Sequence, residues 1–323
     1  MEDSIINYKN EYSNSWALII GINKYSKVSQ LSFAVNDAMA VANSLETQFG
    51  FIHGNIKVLV DEDATVINIR RTFLEFTNNI IKPDDRLLVF FAGHGYTSKG
   101  KRGEVGFLVP VDGDINNIDT LIRWDELTRN ADLIPAKHIF FLMDACYGGL
   151  ALLRSPNFGS MRFLGDMLQR YSRQVLTAGK ADETVSDGNG IRPGHSIFTA
   201  HLLNGLEGGA ATKEGVITAS GIMAYVYERV ANDQYSHQTP HYGFVDGDGD
   251  FIFDTKILED LKDSKKGGDH NSKRGDDDII MNTSPQLLNT VEQLISVSSH
   301  VKELLSDPAK KIKLVSCQLD FVV

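Results

Sequence analysis

Cysteine is nearly absent from this 323-residue chain: there are two, Cys146 and Cys317. Two thiols in unlike contexts give no disulfide framework and fit a reducing compartment. Basic charge is not in excess either. The net charge is −10 with a pI near 5.4, which argues against a nucleic-acid-binding surface. No apolar run approaches the length of a membrane span. The first residues, Met1-Glu2-Asp3-Ser4, lack an apolar signal core, so the expectation is a soluble, cytoplasmic protein with no membrane partner. The glycine turn after Ile20 is not followed by Gly-Lys-Ser/Thr, which removes a phosphate-binding loop. What remains is an ordinary globular balance, 42% hydrophobic and 23% charged.

Two stretches stand out. His138-Ile139-Phe140-Phe141-Leu142-Met143 is a short apolar run that reads as a fully buried strand. It ends in Asp144-Ala145-Cys146-Tyr147-Gly148-Gly149, where glycines permit a sharp turn and close approach of a ligand. Arg86-Leu87-Leu88-Val89-Phe90-Phe91 is a second such run and ends in Ala92-Gly93-His94-Gly95. In open α/β sheets chemistry collects at the carboxyl ends of strands. If the two strands are parallel neighbours, His94 and Cys146 emerge side by side, and an imidazole next to a thiol promotes the thiolate. Taken singly, each residue has a plainer reading, as a buried structural cysteine and a turn histidine.

Further strands are expected at 16–22, 56–60, 106–112, 173–179 and 249–253, with Tyr96 to Gly103 a polar hairpin loop. Helices are expected from Leu31 to Leu45, from a cap at Asp63 or Thr65 towards Asn79, from Trp124 to Ala131, after His195 or Ser196, and from Ser220 to Val230. This alternation predicts an α/β fold, a mostly parallel sheet with helices on both faces. Around it the sequence suggests a polar leader (1–13), a main domain (14–256), a charged linker (257–280) and a small helix–strand appendage (281–323). Leu287, Leu288, Val291, Leu294, Ile295, Val301 and Leu305 form an apolar stripe on that appendage, which suits a regulatory partner or self-association.

Phe91-Ala92-Gly93-His94-Gly95 and Asp144-Ala145-Cys146-Tyr147-Gly148-Gly149 resemble the histidine and cysteine motifs of caspase-like cysteine peptidases, within them metacaspases and bacterial relatives. The spacing of about fifty residues is the known caspase one. The similarity extends through Ser196-Ile197-Phe198-Thr199 and Gly249-Asp250-Phe251-Ile252-Phe253, over roughly residues 14–255. It implies a caspase–hemoglobinase-type three-layer sandwich and a cysteine endopeptidase with protein substrates, acting in regulated proteolysis such as prokaryotic defence or programmed cell death. His94 and Cys146 are then the catalytic dyad, and the backbone N–H groups of Gly95 and Cys146 the oxyanion donors. Metacaspases hold arginine or lysine with acidic residues. The matched positions are Asp37, in Asn36-Asp37-Ala38, and Asp144; the plainer readings are a first-turn helix acid and a strand-end turn former. Ala92 departs from a serine that metacaspases carry two residues before the histidine. The alternative function is a catalytically silent caspase-like scaffold.

No cofactor is read from the sequence. Many metacaspases need calcium, which the resemblance places by region near Asp112, Asp114, Asp119 and Asp125; Asp246-Gly247-Asp248-Gly249-Asp250 reads instead as an acidic turn. In an arginine-directed protease, Lys101-Arg102, Arg154, Arg162, Lys265-Lys266 and Lys273-Arg274 are candidate self-cleavage sites. His53, His138, His195, His201, His237 and His241 are assigned no catalytic role.

Overall fold

The central strands are apolar on both faces, and a strand of that kind is stable only with helices on either side. The computed structural model describes residues 11–253 apart from 79, 102, 147–160, 180–190 and 214, with only the backbone described at 146 and 161–164. The elements run β1 (Ser15–Gly21), α1 (Ala34–Phe49), β2 (Ile56–Val60), α2 (Val66–Glu75), β3 (Arg86–Ala92), β4 (Gly95–Gly100), β5 (Gly103–Leu108), β6 (Ile122–Arg123) and α3 (Trp124–Asn130). They continue with β7 (His138–Cys146), α4 (Met161–Gln169), β8 (Ser172–Gly179), α5 (Ile197–Asn204), α6 (Ala219–Ala231) and β9 (His241–Gly247).

Six strands form the main sheet in the order β2-β1-β3-β7-β8-β9, parallel throughout except β9. Alternate residues of β3 serve opposite layers, as the two-residue period of a strand requires. Leu88, Phe90 and Ala92 pack with α1, α5 and α6, whereas Leu87, Val89 and Phe91 pack with α2 and α3. The result is the expected three-layer α/β sandwich. Ala34, Ala38, Val41, Ala42, Leu45 and Phe49 form the buried stripe of α1, which ends at Gly50 in the left-handed conformation (φ 68°). Gly21 lets that helix cross the end of β1: a Cβ there would lie 2.5 Å from the Ala34 carbonyl oxygen. Thr65 caps α2 by accepting from Asn68 N, as one of the two expected caps.

Two expectations are corrected. Gly95–Gly100 is not loop but β4, paired antiparallel with β5 in a three-stranded ribbon β4-β5-β6 outside the main sheet. The last strand of the main sheet is His241–Gly247, not 249–253. Phe251, Ile252 and Phe253 are buried, and Ile252 makes only an isolated bridge to Thr218. They are held by Arg86, which opens β3 at the sheet's amino end. Its guanidinium donates to the carbonyls of Ile252, Phe253 (2.7 Å) and Phe49 (2.8 Å), and to Ser15 Oγ (2.8 Å). The aromatic rings of Tyr12 and Phe51 cover it at 4.7 and 4.6 Å.

Beside it, at the start of β7, His138 is fully buried. Its Nδ1 is 2.5 Å from the Tyr12 hydroxyl and its Nε2 is 2.6 Å from the Arg170 carbonyl oxygen. A carbonyl only accepts, so the proton sits on Nε2 and Tyr12 donates to Nδ1.

Among the described residues no helix is long and apolar enough to cross a membrane. The chain divides into two units, Met1–Lys266 and Gly267–Val323, and every described residue belongs to the first. The expected linker and appendage (257–280, 281–323) lie outside the described residues, as does most of the leader (1–13). Of the candidate self-cleavage sites, Arg102, Arg154, Lys265-Lys266 and Lys273-Arg274 also lie outside them. Arg162 falls within α4.

Candidate active site

The strands β3 and β7 pair in parallel with Ala92 opposite Asp144, and Gly93 N donates to the Asp144 carbonyl at 3.3 Å. His94 follows Ala92 by two residues and Cys146 follows Asp144 by two, so the backbone brings both predicted residues to the same height at the carboxyl end of adjacent strands. Cys146 closes β7, opposite Gly179 of β8, just after an irregularity in the register. Its side chain lies outside the described atoms.

The imidazole of His94 is described, and it is tightly placed. Nε2 lies 2.7 Å from the Ser29 carbonyl oxygen and 3.3 Å from Ser29 Oγ. Nε2 therefore carries the proton, which leaves Nδ1 as the basic nitrogen of the neutral ring. Backbone, not a third carboxylate, orients the histidine. The Tyr25 ring packs against it with centroids 4.8 Å apart. The Tyr25 hydroxyl accepts from His94 N (2.9 Å) and donates to the Val109 carbonyl (3.2 Å), while Val109 N donates to the His94 carbonyl (3.0 Å). Thus one hydrogen bond of the His94–Val109 pair is direct and the other passes through a phenol. Because hydrogen-bonded and non-hydrogen-bonded pairs alternate in an antiparallel ladder, the next pair, Gly95 with Leu108, is of the open type. The Gly95 N–H is thereby directed away from β5, as an oxyanion donor requires.

The two predicted pocket acids are also brought together. Asp37, in the first turn of α1, and Asp144 are buried, and both reach the dipeptide that opens α5. Asp37 Oδ1 accepts from His195 Nδ1 (2.6 Å) and Oδ2 from Ser196 N (3.2 Å). Asp144 Oδ2 accepts from Ser196 Oγ and from Thr199 Oγ1 (2.6 Å). Ser196 is in addition the cap of α5, accepting from Thr199 N at 2.9 Å. Burial, and then the Arg192 guanidinium, hold the His195 imidazole below its ordinary range. At neutral pH it is an uncharged donor to Asp37. The sequence offered His195 or Ser196 as the start of this helix, placed Ser196 in the Ser-Ile-Phe-Thr similarity, and gave His195 no catalytic role. Their contacts lie 158 and 52 residues away; no local pattern signals them.

Three of the four acids expected by region for calcium have other partners. Asp112 accepts from Val66 N (2.9 Å), Asp114 accepts from Asn116 N (3.0 Å) and pairs with Lys27, and Asp125 pairs with Arg123 (2.9 Å). Asp119 is exposed. Asp246 accepts from Tyr171, Asp248 pairs with Arg170, and Asp250 is buried against Gln174 and Ser220. Among the described residues no three His, Cys, Asp or Glu side chains converge as a metal would need. Placed as they are, these side chains do not form a calcium cage.

Comparison with known proteins gives a concordant result. The family model for the caspase domain matches residues 14–252. Metacaspase-6 of Arabidopsis thaliana is 33% identical over 145 residues, covering 41% of this chain and 38% of the relative. Metacaspase-1 of Eremothecium gossypii is 29% identical over 265 residues, covering 68% of this chain and 58% of the relative. The chain therefore spans only about two fifths to three fifths of these relatives' lengths. A crystal structure of a protein from Geobacter sulfurreducens superposes with a TM-score of 0.51 at 17% identity, over 72% of this chain and 93% of that one; it supports the fold alone.

Proposed function

This chain belongs to the caspase-domain family of peptidases, and from that premise we propose that it is a cysteine endopeptidase using Cys146 and His94 to cut after arginine or lysine. The observation that carries this reading is the β3–β7 register together with the Nε2–H of His94 fixed on the Ser29 carbonyl. It leaves a basic nitrogen at the carboxyl edge, beside the strand that ends in Cys146.

The chemistry balances with these groups alone. The Cys146 thiol gives its proton to His94, and the thiolate attacks the scissile carbonyl carbon. The carbonyl oxygen takes the negative charge and is met by the Gly95 and Cys146 N–H groups. Collapse breaks the C–N bond as the imidazolium protonates the leaving amine, and a thioester remains. Water, deprotonated by the same imidazole, attacks the thioester; the acid product leaves and the thiol is restored. Asp37 and Asp144 are the acceptors for the substrate's guanidinium or ammonium. The biological setting we propose is regulated proteolysis of protein substrates, in prokaryotic defence or programmed cell death. Residues 281–323 then serve as the docking segment for a regulator or a second copy, on the strength of their apolar stripe.

The test is hydrolysis of fluorogenic peptides ending in Arg, Lys or Asp, with and without calcium. Wild type is expected to cut the Arg and Lys peptides, Cys146→Ala to be silent, and His94→Ala to fall by about 10²–10⁴ in kcat. Hydrolysis of the Asp peptide alone would overturn the acidic pocket and keep the dyad. Silence of wild type on all three would favour the scaffold.

A further inference from the structure

We propose that Tyr25 is a positioning residue for His94, and that Asp61 anchors the loop that carries it, so that the segment between β1 and α1 sets the imidazole's aim at the nucleophile. This rests on the Cys146–His94 reading and goes beyond it, because neither residue belongs to the His94 or Cys146 motif.

The loop from Ile22 to Leu31 makes each described side-chain contact of the imidazole. Ser29 receives the Nε2 proton, Tyr25 packs on the ring, and the Tyr25 hydroxyl sits between His94 N and the Val109 carbonyl. A plain antiparallel pair at this point would close directly, drawing His94 towards β5 by the width of a hydroxyl. With the phenol interposed, the histidine is held off β5, where β4 begins. Gly93 makes room for this: a Cβ there would lie 2.5 Å from the Tyr25 hydroxyl oxygen. Burial raises the phenol's pKa, so it stays a donor to Val109 throughout the working pH range.

The loop in turn hangs on Asp61. Its Oδ1 accepts from Asn23 N (2.8 Å) and Lys24 N (3.0 Å), and its Oδ2 pairs with Lys24 Nζ (3.1 Å). Burial alone would raise this carboxyl's pKa, but the two amides and the ammonium outweigh it and hold the group below its usual range. Asp61 is also the one non-glycine residue with positive φ (44°) among the described residues. Such a conformation costs energy and persists where surrounding contacts over-determine it. Here those contacts are the amides of two consecutive residues, Asn23 and Lys24, immediately before Tyr25.

The readout is the pH dependence of Cys146 alkylation by iodoacetamide, followed by peptide mass so that Cys317 is counted separately, alongside kcat and KM on the Arg peptide. Wild type is expected to alkylate with an inflection below the ordinary thiol value of about 8.5, and His94→Ala to return it there. Tyr25→Phe keeps the ring and loses only the hydroxyl. It is expected to move the inflection towards the free-thiol value and to lower kcat by about ten- to a hundredfold at unchanged KM. Asp61→Ala is expected to do the same more weakly, and Asp61→Asn to restore most of the rate, since asparagine accepts from both amides and tolerates positive φ. If Tyr25→Phe and Asp61→Ala both keep the wild-type profile and kcat while His94→Ala changes them, the positioning role is wrong and the dyad stands. If His94→Ala leaves the profile untouched, the dyad reading and this inference fall together.

Discussion

Asp144→Asn is expected to cut kcat/KM for an arginine-terminated peptide by roughly 10²–10³-fold while leaving the folded protein intact. Asparagine is nearly isosteric, and its carbonyl oxygen still accepts from Ser196 Oγ and Thr199 Oγ1, so the start of α5 stays where it is. What disappears is the capacity of a buried group to carry negative charge. Removing one partner of a desolvated, hydrogen-bonded charge pair costs about 2–5 kcal/mol, which brackets that loss in rate. The control is a citrulline-terminated peptide, of the same shape as arginine without the charge. The arginine-to-citrulline ratio should collapse in the variant. An equal loss on both peptides would mean that Asp144 shapes the strand end and does not read charge. Asp37→Asn should act in the same direction but less cleanly: His195 Nδ1 and Ser196 N bond different oxygens of Asp37, so the amide oxygen can keep only one of the two bonds and part of the loss is structural.

The second large effect is on stability and follows from His138. Burial is the main cause, and the nearby Lys137, Arg173 and Arg86 add to it; together they outweigh the Arg170 carbonyl and hold its pKa down at about 3. Native His138 is neutral, whereas in the unfolded chain it titrates near 6.5. Between those values only the unfolded state takes up the proton, so acid favours unfolding. The contribution is complete above the unfolded pKa and is eroded as pH falls below it. By pH 4.5 the loss from this one group reaches about 3 kcal/mol. In His138→Gln the amide can donate to the Arg170 carbonyl and accept from Tyr12 without titrating. Its melting temperature should start lower at pH 7.5 and fall much less steeply between pH 6.5 and 4.5. Parallel curves for the two proteins would exclude His138 as the acid-sensitive group.

The parts of the molecule that the sequence made legible are those whose signal is local. β3 and β7 are continuous apolar runs because both faces are covered, and their glycine-rich ends marked His94 and Cys146 directly. β4 was hidden because Gly95-Tyr96-Thr97-Ser98-Lys99-Gly100 lies in a ribbon outside the core, where nothing demands apolar residues. The misplaced last strand has the opposite cause. Phe251-Ile252-Phe253 is apolar because it is buried beneath Arg86, while the true strand β9 has one neighbour in the sheet and tolerates His241, Tyr242 and Asp246. Nor does any short window show that His195 meets Asp37 or that Tyr25 meets His94, since those pairs are joined only when helices and loops converge on one edge of the sheet.

The Arg86 clamp sets a leash. By holding the Ile252 and Phe253 carbonyls at the first residue of β3, it fixes the point from which the rest of the chain departs at the pole opposite His94. The seven residues of β3 span about 20 Å from that pole to the edge where His94 follows. Lys265-Lys266 begins a dozen residues past Phe253, and a dozen residues of extended chain reach at most about 40 Å. A cut there by the same molecule is within reach, but it leaves little slack for a detour around a helical layer. Shortening the 254–264 stretch by half a dozen residues would make such a cut depend on protein concentration, because a second molecule would then have to supply the nucleophile.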